Sequence, residues 1–306
     1  MMISTTGNTG ANRRRAGGAV SEHEHVRASR WHRFWNRGGW WKALAVAVVY
    51  LALYEGLGLL LRVPFGHLVD SENILATPAS VFFGLALPIL LGGIILLVFV
   101  WALGWFREIF GRQPIRGSWW MWIAVAVLLI PILLRLVGTD WTAYSLSVVL
   151  TLLITGLCIG LAEELLARGL AVNLLRRAGY GEKAVMLLSS LIFALMHSVN
   201  AFNQPILNVA LTVVYAFTFG IMMYLLLRVT GSIIWPMLVH AATDPTTMLA
   251  TGGVDAHGAT SGSEGLISLA GGFDLVYIVL AIVAIIFVKG KVHPDRHPSF
   301  RRAGIE

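Results

Sequence analysis

The chain reads as an all-α, polytopic membrane protein of about eight transmembrane helices with both termini cytoplasmic. Three observations carry that expectation. Of 306 residues, 57% are hydrophobic and only 13% charged, about half the charged share of a soluble domain, and mean hydropathy is +0.75. Apolar windows of about 20 residues, the length that crosses a bilayer core, recur along the chain. Lysine and arginine fall almost wholly in alternate loops.

The windows cover 43–61, 81–105, 119–137, 145–167, 184–204, 205–227, 232–250 and 267–288. The fifth and sixth nearly fuse, and Pro205 marks the break between them. A basic N-terminal stretch, 1–42, contains Arg13-Arg14-Arg15, and its Gly, Ser, Thr, Asn and Arg content over 1–30 is that of disorder. It is too long, and lacks a small-residue cleavage site after a short apolar run, to be a cleaved signal peptide. The transmembrane domain therefore spans 43–288, and a basic tail, 289–306, follows.

Of the 23 Lys and Arg, 20 lie in the segments before the first window, between the second and third, fourth and fifth, and sixth and seventh, and after the eighth. Arg62 and Arg135 fall on the opposite side, and Arg168 lies inside a window. The positive-inside rule then places both termini in the cytoplasm. It also accounts for the net charge of +7, so no nucleic-acid partner is implied. The eleven tryptophans cluster at the expected interfaces as anchors. A single cysteine, Cys158, excludes an intrachain disulfide and any cysteine-based zinc cluster.

Against this background Glu163, Glu164, Arg168, His197, His240 and Asp244 stand out. An ionisable group at the bilayer centre costs roughly 2.5–3.5 kcal/mol on insertion scales, so such groups persist when paired or functional. Glu164 and Arg168, four apart, share a helical face, whereas Glu163 points about 100° away. A turn at Gly179-Tyr180-Gly181 folds the fourth and fifth windows into a hairpin. Glu163 precedes Tyr180 by 17 residues and His197 follows it by 17, so equal rise brings the two to one height, about 25 Å from the turn. His240 and Asp244 again share a face. Pro245 is expected to bend or end that helix, and Pro236 acts likewise near its start. Gly156-x-x-x-Gly160 supplies a close-packing face just before the site. Elsewhere, Glu55 is read as a water-exposed structural group, Asp274 as interfacial, and Asn200, Asn203 and Asn208 as an ordinary polar loop.

Taken in order, Glu163-Glu164-x-x-x-Arg168, Phe193-x-x-x-His197 and His240-x-x-x-Asp244 resemble the motif set of the CAAX protease and bacteriocin-processing family, the type II CAAX prenyl endopeptidases and their relatives. Gly220 and Gly231-Ser232-Ile233 are similar to further motifs of that family, and the likeness covers about 150–250. It implies an intramembrane endopeptidase of glutamate type in a cell membrane of bacterial kind. Glu163, helped by His197, would activate water; His240 and residue 244 would stabilise the oxyanion; Glu164 and Arg168 would hold the helix geometry. Relatives often carry Asn where this chain has Asp244, and an ionised Asp cannot donate to an oxyanion. Asp244 must then be protonated, hold a metal, or accept from His240 and orient it, and the last is the expected role. No cofactor is expected by resemblance. Two His and two acids also form a conceivable zinc set without an HExxH pair, so zinc stays open. The implied partners are the bilayer and a lipid-modified or hydrophobic peptide or protein. A non-catalytic scaffold or immunity protein of the same fold is the alternative. A proton-coupled transporter is a further one, although no internal repeat supports it.

Overall fold

The computed structural model describes residues 29–202, 204–253 and 262–292, and among them every regular element is helical. The basic stretch 1–28, Asn203, most of the loop after residue 253 and the tail from 293 lie outside the described residues. Seven helices are long and apolar enough to cross a membrane: α1 (Trp40–Leu68), α2 (Pro78–Ala102), α3 (Trp119–Gly138), α4 (Leu146–Arg177), α5 (Glu182–Phe202), α6 (Ile206–Thr230) and, last in the chain, α8 (Glu264–Phe287). The remaining expected segment is also a helix, α7 (Ile234–Thr251). It is not among those seven, and its sequence is the reason: it carries His240, Asp244, two prolines and four threonines.

Local chemistry sets the ends of these helices. The Thr77 hydroxyl accepts from Ser80 N at the start of α2, with Pro78 in the first position, and Ser145 caps α4 through Val148 N. Both satisfy amides that no helical carbonyl reaches. Gly179 and Gly231 adopt left-handed conformations, with φ of 80° and 72°. They end α4 and α6 where a side chain would be strained. Pro205 stands at the start of α6, after a 3₁₀ turn over His197–Phe202. Within the N-terminal stretch expected to be irregular, Arg30–Asn36 forms a short helix capped by Ser29. Trp35 packs its ring 5.0 Å from Phe99 of α2, and that aromatic burial holds the short helix in place.

The bundle is organised around α4, which packs on α7, α2 and α1. Gly156 and Gly160 make the contact with α7 possible. A Cβ at Gly156 would collide with the Ala241 carbonyl and the Pro245 ring, and one at Gly160 with the Met237 carbonyl. Small residues thus let the two backbones approach. Pro245 does not end α7: the helix runs through it to Thr251. The carbonyl of Ala241, which loses its usual amide there, lies against Gly156. The hydroxyls of Thr243, Thr246 and Thr247 bond back to carbonyls one turn earlier, at 2.7–2.8 Å, and spare the helix exposed polar groups. Apolar side chains such as Val63, Val137 and Leu146 point outward, more than 70% exposed, as a lipid-facing surface requires.

The basic loops gather at one end of the bundle. There Glu182, fully buried, accepts two hydrogen bonds from Arg176, at 2.9 and 2.7 Å. It accepts a third from Arg228 at 3.2 Å and one from the Tyr224 hydroxyl. Arg228 also donates to the Arg116 carbonyl, and Arg177 pairs with Glu108 and Asn36. This network ties α4, α5 and α6 to the 105–117 segment.

Replacing Gly160 with Leu should force α7 away from α4 and cost about 1–3 kcal/mol, the usual range for overpacking. Thermal unfolding of the full chain in detergent reads this directly, and a Tm equal to that of the natural sequence would count against the proposed α4–α7 contact.

Candidate active site

The site lies where α4, α5, α6 and α7 meet, and each of its side chains has an assignable local cause. Glu163 and Glu164 end the regular part of α4. The next seven residues, Leu165–Ala171, form a π-helical turn before the α-helix resumes at Val172. Such turns insert an extra residue and frequently mark functional positions. Arg168 sits inside this turn, 1% exposed, and both terminal nitrogens of its guanidinium are used for positioning. Nη1 donates to Glu164 Oε1 at 3.1 Å, Nη2 donates to the Gly220 carbonyl at 2.9 Å, and the plane lies 4.6 Å from the Phe193 ring centroid. A Cβ at Gly220 would stand 3.1 Å from Nη2, so a side chain there would crowd Arg168.

The same Glu164 oxygen meets His240 Nδ1 at 2.8 Å. That hydrogen bond fixes the imidazole, with Phe193 and Phe219 presenting ring edges at 5.9 and 5.2 Å between centroids. The other nitrogen, Nε2, lies 3.8 Å from Glu163 Oε2 and 3.6 Å from Asp244 Oδ2. Two carboxylates thus flank the imidazole: Glu164 is hydrogen-bonded to Nδ1, and Asp244, the partner expected from the sequence, stands at Nε2. Burial distinguishes them: Glu164 is completely enclosed, while the side chains of Glu163 and Asp244 keep 18% and 27% of their surface. A dry carboxylate holds its partners in place, and a partly open one remains free to meet solvent or a reactant.

His197 closes α5, and its Nδ1 lies 3.2 Å from the Phe193 carbonyl. A carbonyl only accepts, so Nδ1 is the donor in that contact and Nε2 is left for other partners. His197 is among the electrostatic neighbours of Glu163, together with His240, Asp244 and Glu164. Five of the six residues singled out in the sequence lie within 4 Å of one another in a chain through His240 and Glu164, and His197 stands within electrostatic range of Glu163, on the hairpin that the sequence implies. Among the described residues, no group of three or more His, Cys, Asp or Glu side chains is arranged to hold a metal ion.

Two residues escape sequence reasoning. Tyr50 and Tyr54 of α1, rings 6.4 Å apart and stacked, lie within electrostatic range of Glu163. Tyr50 is buried against Gly92, and its hydroxyl has no hydrogen-bond partner. Only their i, i+4 spacing in an apolar helix marks them in the sequence. Glu55 beside them is exposed, and Asp274 lies in the electrostatic range of Tyr215 and Tyr277.

The chain is thus an all-helical membrane fold that buries a Glu, His and Arg centre between four helices. Residues 145–246, from the start of α4 into α7, match the family model Type II CAAX prenyl endopeptidase Rce1-like. No curated protein and no solved structure matches the chain.

Removing Arg168 tests the paired centre. Arg168→Met leaves Glu164 buried with His240 alone and should cost about 3–5 kcal/mol, as breaking a buried ion pair does. Adding Glu164→Gln to it should restore part of that loss. Unfolding of the single and double variants in detergent measures both, and a double variant no more stable than Arg168→Met would contradict the coupling.

Proposed function

We propose that the chain is an intramembrane endopeptidase of glutamate type. Glu163 acts as the base, and the substrate is a lipid-modified or hydrophobic tail, or a segment of a membrane protein. The observation that carries this reading is the division between adjacent carboxylates: Glu164 is sealed and holds His240, while Glu163 is partly open and stands beside the free face of the same imidazole. The family match over residues 145–246 supports the peptidase class.

In the proposed reaction Glu163 takes a proton from water as the water oxygen bonds to the peptide carbonyl carbon. The carbonyl oxygen becomes an oxyanion. His240, doubly protonated, donates Nδ1–H to Glu164 and presents Nε2–H to that oxygen. Collapse of the tetrahedral intermediate breaks the C–N bond, and the leaving nitrogen receives the proton held by Glu163. Water is thereby added across the amide, giving one carboxyl and one amino terminus. Negative charge moves from Glu163 to the substrate oxygen and back, so the imidazolium faces a nearly constant local charge throughout. Asp244, 3.6 Å from Nε2, helps hold the ring, a role open to an acceptor where oxyanion donation is not. His197 acts on Glu163 or its water through Nε2. No step requires a metal. The orientation is the one the basic loops imply, with both termini on the cytoplasmic side.

The membrane-proteome termini of cells expressing the natural sequence, compared with Glu163→Gln at equal abundance, test the assignment. Termini present only with Glu163 establish proteolysis and identify the substrate. Identical termini, with His197→Ala and His240→Ala equally silent, would favour a non-catalytic scaffold of the same fold. Once a substrate is found, prolonged chelation should leave the cleavage rate within about twofold. A loss restored by zinc would replace the Glu163–water mechanism with metal-assisted hydrolysis.

A further inference from the structure

Beneath the Glu164–Arg168 pair, towards the basic loops, a half-open cavity of about 110 Å³ lies between α4 and the segment around Arg107–Pro114. It offers several times the ~10–15 Å³ that one water requires. Its polar lining is dominated by donors: Arg107, Arg112, Arg168, Arg176, Asn173 and Gln113, with Glu108 the one carboxylate.

The charges in this lining are not balanced. Arg168 is matched by Glu164, and Glu108 is paired with Arg177. Arg176 shares the single carboxylate of Glu182 with Arg228. Arg107 and Arg112 are exposed, and among the described residues neither guanidinium meets a carboxylate. Two further donors are buried without acceptors. Asn173 is 6% exposed and its amide nitrogen has no partner, and Arg168 Nε is in the same condition. A buried donor left unpaired costs about 1–3 kcal/mol, and a concave site with surplus positive charge attracts anions.

We propose that this cavity binds a phosphate group, supplied either by an anionic lipid headgroup or by free phosphate. A tetrahedral anion with several acceptor oxygens can satisfy two forked guanidinium groups and an amide together. The position suits the headgroup layer: the cavity opens beside the short helix Phe106–Phe110, with Trp105 before it and exposed Trp101 and Trp119 at neighbouring helix ends, the usual company of a membrane interface. Arg168 forms the inner wall and also holds Glu164, so occupancy stabilises the same residue that organises the site above. Binding here does not depend on peptidase chemistry, and its test reads stability rather than cleavage.

The test uses the full chain in neutral detergent, unfolded thermally in sodium phosphate against sodium chloride at matched ionic strength. In parallel, the chain is unfolded in phosphatidylcholine nanodiscs with and without phosphatidylglycerol. Expected is a saturable rise in Tm of about 3 °C, the order given by tenfold excess of ligand over Kd. The rise should be lost in Arg107→Gln combined with Arg112→Gln. Arg116→Gln with Lys183→Gln removes two exposed cations at the same end but outside the cavity, and should keep it. A response in the nanodisc arm alone assigns the site to a lipid headgroup, and one in the detergent arm alone to free phosphate. The proposal is overturned by no saturable rise in either arm, by an equal rise without Arg107 and Arg112, or by its loss in the control pair.

Discussion

One buried oxygen, Oε1 of Glu164, organises the interior of this membrane domain. It accepts from Arg168 at 3.1 Å and meets His240 Nδ1 at 2.8 Å, joining α4 to itself across a π-helical turn and to α7. Arg168 extends the connection to α6 through the Gly220 carbonyl and to α5 through the Phe193 ring. Four helices thus share one electrostatic junction. A buried ion pair contributes little net stability over apolar packing, but a half-removed one is costly. Its value here lies in geometry: the helices cannot slide past one another without uncovering a charge. The glycines at 156, 160 and 220 follow from that demand, since each stands where a Cβ would intrude on the backbone or guanidinium that the junction positions.

Much of this was legible in the chain. The i, i+4 spacing of Glu164 and Arg168 predicts their pairing, and the equal distances of Glu163 and His197 from Tyr180 predict their meeting across a hairpin. Both are consequences of uniform helical rise. Where the backbone departs from uniformity, the sequence is less informative. The π-helical turn has no obvious sequence mark, and Pro245 looks like a terminus although α7 passes through it. That Glu164 joins Asp244 at His240 is also hidden. His240–Asp244 has the right spacing, but Glu164, 76 residues away in sequence, has the better burial and distance. Local spacing cannot register a long-range partner. Tyr50 and Tyr54 are missed for the same reason, since only the packing of α1 brings them to Glu163.

The low hydropathy of α7 has a comparable origin. A helix that supplies His240 and Asp244, accommodates Pro245 and carries four threonines cannot also be uniformly apolar. Other helices cover it: its contacts with α4 and α3 enclose much of its surface. Composition alone therefore undercounts the helix that matters most to the chemistry.

The neighbouring glutamates show how one helix can keep two carboxylates in opposed states. They are covalent neighbours about 100° apart around α4, so one faces the Arg168 and His240 junction while the other faces α1 and the partly open space beside Asp244. The first is held by two donors and excluded from solvent. The second has its oxygen 3.8 Å from His240 Nε2 and retains access. A rigid acceptor and a reachable one acting on opposite nitrogens of a single imidazole fix the ring's orientation without consuming its outer face. Exchange of these environments would leave His240 tethered by a hydrated carboxylate and would seal the other from solvent. The adjacent pair is thus an ordered couple: its chemistry resides in the direction each side chain takes from the helix rather than in the presence of two acids.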